Sequence, residues 1–350
     1  MKRPKLLAVT LTAALLAGCG QSAAPATAET ADAANADVWH WEAQTVDLQG
    51  ASAVGEIVCG ADGTVQLCLY DKSSDKYRML VSADNGETWT TDSLSWMNGL
   101  LDREEEIRYA MCSPEGIWLV GVGPKWWNDE GKVQFWMGPE DELTPWKVSD
   151  LVPDREGMVV STFLGDGRLA FVPADPDLGM GSDLVVYDPA TGSCTTVPGV
   201  GEKAYSHWQR ETNNAGEWTA RGGIFAQCGV GNRYVYMTYG TDGAQLRAID
   251  VDAGTDTALL EDIPGGVVAA MTGLSDGTLY FLNREGIWRL AEGGTLPELV
   301  VEIAGLDLDN QTPNEWIFAC LGCAADGSFL VLTHDSYGAN DLTRYVMTSE

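Results

Sequence analysis

Short apolar runs, each preceded by a tight turn that contains glycine, recur along the whole chain. The glycines of these turns are Gly63, Gly116, Gly167, Gly231, Gly277 and Gly327, and they lie 53, 51, 64, 46 and 50 residues apart. The run after each glycine is apolar on both faces, which is typical of strands that are covered on both sides. Asp-Gly or a related pair is the usual hairpin signal, because glycine accepts a positive φ. The pattern predicts six β units of about fifty residues.

Each unit can be divided into four strands, as the third unit shows. Its strand-like segments are residues 158–164, 168–172, 183–188 and 194–200. Helical periodicity is nearly absent, and the best short candidate lies around Leu101–Ile107. Four antiparallel strands repeated six times predict an all-β fold, a six-bladed β-propeller.

The two ends of this repeat region complement each other. After Gly327 the sixth unit has a second strand and a third one, Leu342–Thr348, but the chain stops before a fourth. Residues 38–48 supply the missing strand if they pair with the third. We therefore predict that the propeller spans residues 38–350 and that its N-terminal strand closes the last blade.

The beginning of the chain has a different organisation. Lys2, Arg3 and Lys5 precede an apolar run that is too short to span a bilayer. Leu16-Ala17-Gly18-Cys19 then resembles the lipobox of bacterial lipoproteins, which implies a signal peptide over residues 1–18 and a lipid (diacylglycerol and a further acyl group) on the new N-terminus at Cys19. Residues 19–37 are the lipidated cysteine and a flexible tether. The alternative is an ordinary secretory peptide with a chance cysteine.

The remaining chain is strongly acidic. Without the three basic residues of the leader, 18 basic residues face 51 acidic ones, a formal charge of −33. Such a surface repels nucleic acid and anionic lipid headgroups. We expect an extracytoplasmic protein, on the cell surface or the periplasmic side, whose only membrane contact is the lipid on Cys19 and whose partners are cationic or neutral.

One octapeptide matches a known propeller motif at every defined position. Its defining residues are Ser82, Asp84, Gly86, Thr88 and Trp89. This S-x-D-x-G-x-T-W pattern is similar to the Asp-box, or BNR repeat, of sialidase-like propellers. The resemblance implies a structural turn between the third and fourth strands of a blade, on the face opposite the active site of that family.

The same resemblance raises the alternative of a carbohydrate-active enzyme. Sialidases use three arginines that converge on a carboxylate, and Arg108 and Arg221 fall near the starts of predicted inner strands. No Arg-Ile-Pro sequence is present, and a complete arginine triad cannot be assembled. The other interpretation is that these arginines pair with local acids such as Glu104–Glu106. We assign no catalytic residue.

The predicted ligand face collects the loops between second and third strands and between blades. Long loops on a rigid scaffold commonly carry binding sites, and the longest insertion is Gly199–Gly216. The candidate ligand residues in these loops are Trp126, Trp127, Asp175, His207, Trp208, Arg210, Asn213, His334 and Tyr337. Tryptophan faces beside polar groups suit a sugar or a peptide. The alternative is that these tryptophans only cover the blade cores.

Metal and cofactor sites have little support in the sequence. Asp250, Asp252 and Asp256 suggest either calcium ligands or an ordinary strand turn. Cys59, Cys112 and Cys323 each lie four residues before the glycine of their unit, at the end of a predicted inner strand. They form either a thiolate metal site in the channel or, as we favour, small apolar fillers that stay reduced. We predict no metal and no cofactor.

These observations favour a non-catalytic module that binds a glycan, a peptide or a protein. The alternatives are a sialidase-like enzyme and an accessory to solute uptake or sensing. The last rests on a resemblance to propeller modules that precede solute-binding domains in large bacterial lipoproteins. Fold alone does not decide among them.

Overall fold

A computed structural model of the chain describes residues 39–102, 104–124, 133–174, 183–200, 209–212, 218–221, 226–240, 243–303, 318–334 and 340–349. The predicted leader and tether therefore lie outside the described residues. None of the helices in the described part is long and apolar enough to cross a membrane.

Six antiparallel sheets follow one another along the chain, and each is one blade. After β1 (Trp39–Val46), the first blade contains β2 (Ser52–Ala53), β3 (Val58–Cys59), β4 (Val65–Asp71), β5 (Lys76–Ser82) and β6 (Thr90–Ser93). The second contains β7 (Glu105–Cys112), β8 (Ile117–Pro124), β9 (Gln134–Pro139) and β10 (Thr144–Trp146). The third contains β11 (Met158–Phe163), β12 (Leu169–Pro173), β13 (Leu184–Tyr187) and β14 (Cys194–Val197).

The second half of the chain repeats this plan after one additional hairpin. That hairpin is β15 (Gln209–Thr212) and β16 (Trp218–Arg221). The fourth blade contains β17 (Gln227–Val230), β18 (Arg233–Gly240), β19 (Gly243–Asp250) and β20 (Thr255–Leu260). The fifth contains β21 (Ala270–Gly273), β22 (Leu279–Asn283), β23 (Gly286–Leu290) and β24 (Glu298–Glu302). The sixth contains β25 (Phe318–Cys323), β26 (Phe329–His334) and β27 (Asn340–Ser349), with β1 on its outer edge. The hairpin accounts for part of the long spacing between Gly167 and Gly231.

The innermost strands of the six blades form a closed ring. Neighbouring contacts join β7 to β11, β11 to β17, β17 to β21, β21 to β25 and β25 to β3. The ring closes between the first two blades, where Gly55 lies directly against the backbone of Ala110. The chain is thus a six-bladed β-propeller around a central channel, as the repeat predicted.

The N-terminal strand completes the last blade. β1 pairs with β27 in antiparallel register over its whole length, from Trp39 opposite Ser349 to Val46 opposite Leu342. This confirms the predicted closure by the N-terminal strand. The ring is therefore held by hydrogen bonds between the first and the last strands of the described chain.

Six hydrophobic clusters hold the blades together, one at each junction between neighbours. At the junction of the sixth and first blades, for example, Leu330 and Leu332 pack against Leu67. Burying each such side chain contributes about 1.5–3 kcal/mol. The core is thus a ring of interfaces, which explains why the second strand of each blade, after the turn glycine, is apolar on both faces.

The prediction of a short helix around Leu101–Ile107 is wrong. The structure has helix α1 at Ser95–Asn98, and Glu105 already begins β7. Leu100, Leu101 and Ile107 all pack into the hydrophobic cluster between the first two blades. Their apolar spacing reflects this packing and not the buried face of a helix. One further turn of 3-10 helix lies at Val148–Asp150.

Candidate functional site: the loop face and the central channel

The propeller has two unlike faces. One face, which we call the turn face, carries the turns between the first and second strands and between the third and fourth strands of each blade. The loop face carries the connections between second and third strands and between blades. On the turn face, Arg168 of the third blade pairs with Asp252 of the fourth, with an Nη1–Oδ1 distance of 2.7 Å. In the turns that the structure describes, polar groups thus join neighbouring blades to one another.

The Ser82–Trp89 segment forms a tight turn on this face between β5 and β6. Both the amide and the hydroxyl of Thr88 donate to the Asp84 carboxylate, over 2.8 and 2.6 Å. Ser82 Oγ donates to Asp84 Oδ1 over 2.7 Å and accepts the Gly86 amide over 2.8 Å. Trp89 Nε1 donates to the Gly86 carbonyl over 3.0 Å. These internal bonds engage the side chains of all four defined non-glycine residues of the motif, Ser82, Asp84, Thr88 and Trp89.

The electrostatics of the turn agree with a structural role. The hydrogen bonds from Thr88, then the one from Ser82, lower the pKa of Asp84 to about 2. Gly86 has a φ of +85°, and a Cβ there would contact Leu330 and Arg344 of the sixth blade at 3.3 Å. The turn is therefore packed into the junction between the first and last blades. Its likeness to the Asp-box remains a resemblance.

Most of the predicted ligand residues lie outside the described residues. These are Trp126, Trp127, Asp175, His207, Trp208, Asn213 and Tyr337. Arg210 lies on β15 and His334 ends β26, and only their backbones are described. The strands that flank these positions end on the loop face. The assignment of the nine ligand residues to this face therefore agrees with the topology, and it stays a prediction.

The described part of the loop face contains an acidic cleft of about 230 Å³ between the first two blades. Its walls include the carboxylates of Asp75, Asp102 and Glu105 and the amine of Lys76. Tyr70 donates to Asp75 Oδ1 over 2.7 Å, which raises the pKa of the Tyr70 phenol to about 12. In the ladder between β7 and β8, Glu105 lies opposite Pro124. The cleft therefore adjoins the position at which the chain enters the segment with Trp126 and Trp127.

Of the two arginines considered for a sialidase site, only Arg108 lies on an inner strand, β7. Arg108 pairs with Glu106 over 2.7 Å and also donates to the carbonyl of Pro124, so the local-acid interpretation holds for it. Arg221 lies in β16 of the additional hairpin rather than on an inner strand, which corrects its predicted placement.

The acidic segment 250–256 is an ordinary strand turn. The Asp250 carboxylate accepts the amides of Asp252 and Ala253, over 3.0 and 2.9 Å. Asp252 pairs with Arg168, and Asp256 pairs with Arg247 over 3.1 Å. Its carboxylates are thus engaged by the protein, and the calcium alternative gains no support.

Hydrogen bonds between polar side chains on and beside the inner strands link neighbouring blades. Tyr109 of the second blade has its Oη 2.5 Å from the Oγ of Ser161 in the third blade. Gln227 of the fourth blade donates from Nε2 to the Ser161 carbonyl over 2.8 Å and accepts a hydrogen bond from the Tyr234 hydroxyl. This polar belt joins three successive blades.

A carboxyl group that sequence reasoning missed faces the belt. Glu56 lies between β2 and β3, the two pieces of the innermost strand of the first blade. Its charge raises the pKa of groups on three other inner strands, namely Tyr109, Cys228 and Cys320, in addition to the effect of burial. Those strands belong to the second, fourth and sixth blades, so Glu56 projects into the channel that they enclose. Enclosure by the protein raises the pKa of the Glu56 carboxyl to about 7, although its side chain remains open to solvent in the channel.

The three equivalent cysteines end inner strands, as predicted. Cys59 ends β3, Cys112 ends β7 and Cys323 ends β25. Burial is the main reason why the pKa of Cys59 rises to about 12 and that of Cys323 to about 11. Within the described residues, no three potential metal ligands cluster.

The comparisons with known proteins assign the chain to no family. The sequence matches no protein-family model, and no curated protein is significantly similar to it. Similar solved structures include a luciferin-regenerating enzyme, at 10% identity over 88% of this chain and 95% of that chain, with a TM-score of 0.47. A soluble aldose sugar dehydrogenase from Escherichia coli has 12% identity over 88% and 99% of the chains and a TM-score of 0.46. The β-propeller domain of the Trilobed protease from Pyrococcus furiosus has 10% identity over 85% and 97% and a TM-score of 0.45. Likeness at this level carries no inference about activity.

Proposed function

We propose that the protein is a bacterial lipoprotein of the extracytoplasmic space whose propeller is a non-catalytic binding module for a glycan, a peptide or a protein. The lipid on Cys19 holds it at the membrane. The observation that carries the binding role is the asymmetry of the two faces. On the turn face, the side chains of Asp84 and Arg168 bond within the protein, whereas the loop face has an open acidic cleft beside Pro124, after which Trp126 and Trp127 follow in the sequence.

The chemistry of the cleft favours ligands with hydrogen-bond donors or positive charge. Three carboxylates face one amine there, and the whole chain has a formal charge of −30. Adjacent tryptophans suit the apolar face of a sugar ring or a side chain.

Binding of the full-length protein to glycan and peptide arrays tests this role. We expect a ligand whose binding is lost in the Trp126→Ala/Trp127→Ala variant. The matched control is Asp62→Ala/Asp276→Ala, which changes two turn-face residues and should bind as the wild type does. Release of sugar from a bound glycan would contradict the non-catalytic role. Equal binding by both double variants would contradict the assignment of the site.

A further inference from the structure

The innermost strand of the first blade is interrupted at one position. β2 pairs with β4 at Leu69, and β3 resumes the pairing at Gln66, so residues 54–57 lie between two short pieces of one strand. Gly55 has a φ of +86°, and a Cβ on it would lie 2.0 Å from the carbonyl oxygen of Ala110 in β7. Only glycine allows this approach. Interruptions of this kind re-aim a side chain and are common beside functional sites.

The side chain that this interruption places in the channel is Glu56. Its charge acts on inner strands of the second, fourth and sixth blades, and solvent still reaches it. Among the described residues, none forms a hydrogen bond or an ion pair with its carboxyl group. A carboxylate that is enclosed by protein without a partner is unfavourable, and such groups are typical of functional sites.

In the part of the channel wall that the structure describes, the nearby donors are used in other hydrogen bonds. The hydroxyls of Tyr109 and Ser161 bond to each other, and the Gln227 amide donates to the Ser161 carbonyl. The thiol of Cys320 lies 3.6 Å from the carbonyl of Gly55, to which it donates. This level of the channel therefore offers a negative charge and acceptor oxygens, which is the complement of a ligand with several N–H donors.

We propose that the central channel is a binding site for a small primary amine, whose ammonium group pairs with the Glu56 carboxylate and donates a further hydrogen bond to the Tyr109–Ser161 pair. An ammonium carries three donors and a compact charge, which match one carboxylate and a neighbouring acceptor. A divalent metal ion fits less well, because no three potential ligands cluster in the described part of the protein. This inference depends on the proposed binding role in one respect: the amine is expected to enter the channel from the loop face.

Calorimetric titration of the full-length protein in detergent tests the site, with 1,4-diaminobutane as the probe and 1,4-butanediol as its neutral match. At pH 8 we expect one saturable site for the diamine and none for the diol. Glu56→Gln should weaken diamine binding at least about tenfold, because the charge-assisted pair is lost. The control Glu302→Gln removes one exposed carboxylate from the outer strand of the fifth blade and should leave binding unchanged.

The pH dependence gives a second readout. Protonation of Glu56 competes with the amine, so affinity should fall up to about tenfold per pH unit below pH 7 and be flat above it. The Tyr109 phenol and the thiols of Cys228 and Cys320 also face Glu56, but their raised pKa values keep them neutral over this range. In Glu56→Gln the profile should be flat. Glu56→Asp keeps the charge but withdraws it by one methylene, and it should bind more weakly with the pH dependence retained.

Two results would overturn the channel site: no saturable diamine binding by the wild type at pH 8, or equal binding by the wild type and a folded Glu56→Gln protein. If the arrays identify a loop-face ligand while the diamine does not bind, the channel site is wrong and the binding module stands. If the diamine binds while the arrays show no ligand, the channel site stands and the proposed loop-face role fails.

Discussion

The guanidinium of Arg344 donates a hydrogen bond of 2.9 Å to the backbone carbonyl of Asn85, which lies 259 positions earlier in the chain. The same guanidinium pairs with Asp326 over 3.0 Å and donates to the Gln44 amide oxygen over 3.2 Å. Arg344 is only 2% exposed. One buried cation thus joins the first blade, the last blade and the closing strand β1.

Replacement of this cation should weaken the ring at its seam. Arg344→Met keeps much of the volume but removes the guanidinium donor from the Asn85 carbonyl and from Asp326, which then have only the Ser328 donors among the described residues. We expect the free energy of unfolding to fall by about 1–3 kcal/mol, the cost of removing a donor from buried hydrogen-bonding groups. Urea denaturation followed by tryptophan fluorescence measures this change.

An exposed ion pair serves as the control for Arg344→Met. Arg289 and Glu298 lie 2.8 Å apart, with 47% and 63% of their side chains exposed. Arg289→Met should therefore cost less than about 1 kcal/mol. Equal losses in the two variants would show that Arg344 has no special part in closing the ring.

Removal of β1 should be more damaging than removal of a similar length of tether. Deleting residues 39–46 leaves β27 as an unpaired edge and removes Trp41, whose ring centroid lies 5.4 Å from that of Phe329. We expect a loss of at least about 3 kcal/mol from unmet hydrogen bonds and lost packing. Calorimetric melting is the measurement, and deletion of residues 22–29, which are also eight residues, is the control. An unchanged melting temperature after β1 deletion would contradict closure by this strand.

The repeat revealed the blades because each one reuses the same local chemistry. Gly63, Gly167 and Gly277 all have φ values above +80°, so the glycine of each turn is required by the backbone and recurs in the sequence. The closing strand was predictable for the same reason, since a four-strand count leaves the sixth unit one strand short. Local rules of this kind can be recognised in the sequence without a structure.

Glu56 was not predictable because its role comes from the ring. No motif surrounds it, and its position depends on the approach of Gly55 to Ala110, a contact between two blades. The helix α1 escaped notice for another reason: four residues are too few to show a period, and Leu94, which precedes them, makes no side-chain cap. For the ligand residues of the loop face, the sequence remains the only guide to seven of the nine.

The thiols provide a test of the packing around the channel. Burial raises the pKa of the thiols of Cys59, Cys68, Cys112 and Cys320 to about 12. Cys194 is exposed on β14. With Ellman's reagent at pH 8 we expect one of the seven thiols of the described chain to react in the native protein, and all seven after unfolding.

Cys194→Ser should abolish the native reaction with Ellman's reagent. Rapid labelling of Cys59, Cys112 and Cys323 in the native state would show that the ends of the inner strands are open. Stoichiometric zinc in the purified protein, lost when these three cysteines become Ala, would overturn their interpretation as apolar fillers.

The carboxyl of Glu56 should make stability depend on pH. Its pKa is 4.5 in an ordinary setting and about 7 in the folded protein, so the folded state binds more protons between these values. The free energy of unfolding should then fall as pH rises from 4.5 to 7. Glu56→Gln should remove this fall and stabilise the protein above pH 7 by about 1 kcal/mol, a value reduced for screening by channel water.

Chemical denaturation at pH 5 and pH 8 compares the two proteins. Glu302→Gln is again the control, because its carboxyl is exposed on the outer strand of a blade. An identical pH dependence of the wild type and Glu56→Gln would mean that the channel does not hold an enclosed carboxyl group.

The anchor can be tested separately from the propeller. Cys19→Ala should release the protein from membranes into the soluble fraction, because the acyl chains on this residue are the proposed attachment. Metabolic labelling with a radioactive fatty acid should mark the wild type only. Absence of label on the wild type would refute the lipoprotein prediction and leave the propeller untouched.

The pairing of β1 with β27 also determines when the molecule can finish folding. A nascent chain delivers β1 first, whereas the ten residues of β27 come last. The first five blades each draw their strands from one continuous segment and can form as that segment emerges. β1 has to wait for its partner until all the strands between them have been synthesised. A chain that stops before residue 340 is therefore left as an open arc with two unpaired edges, a ready target for quality-control proteases and for aggregation.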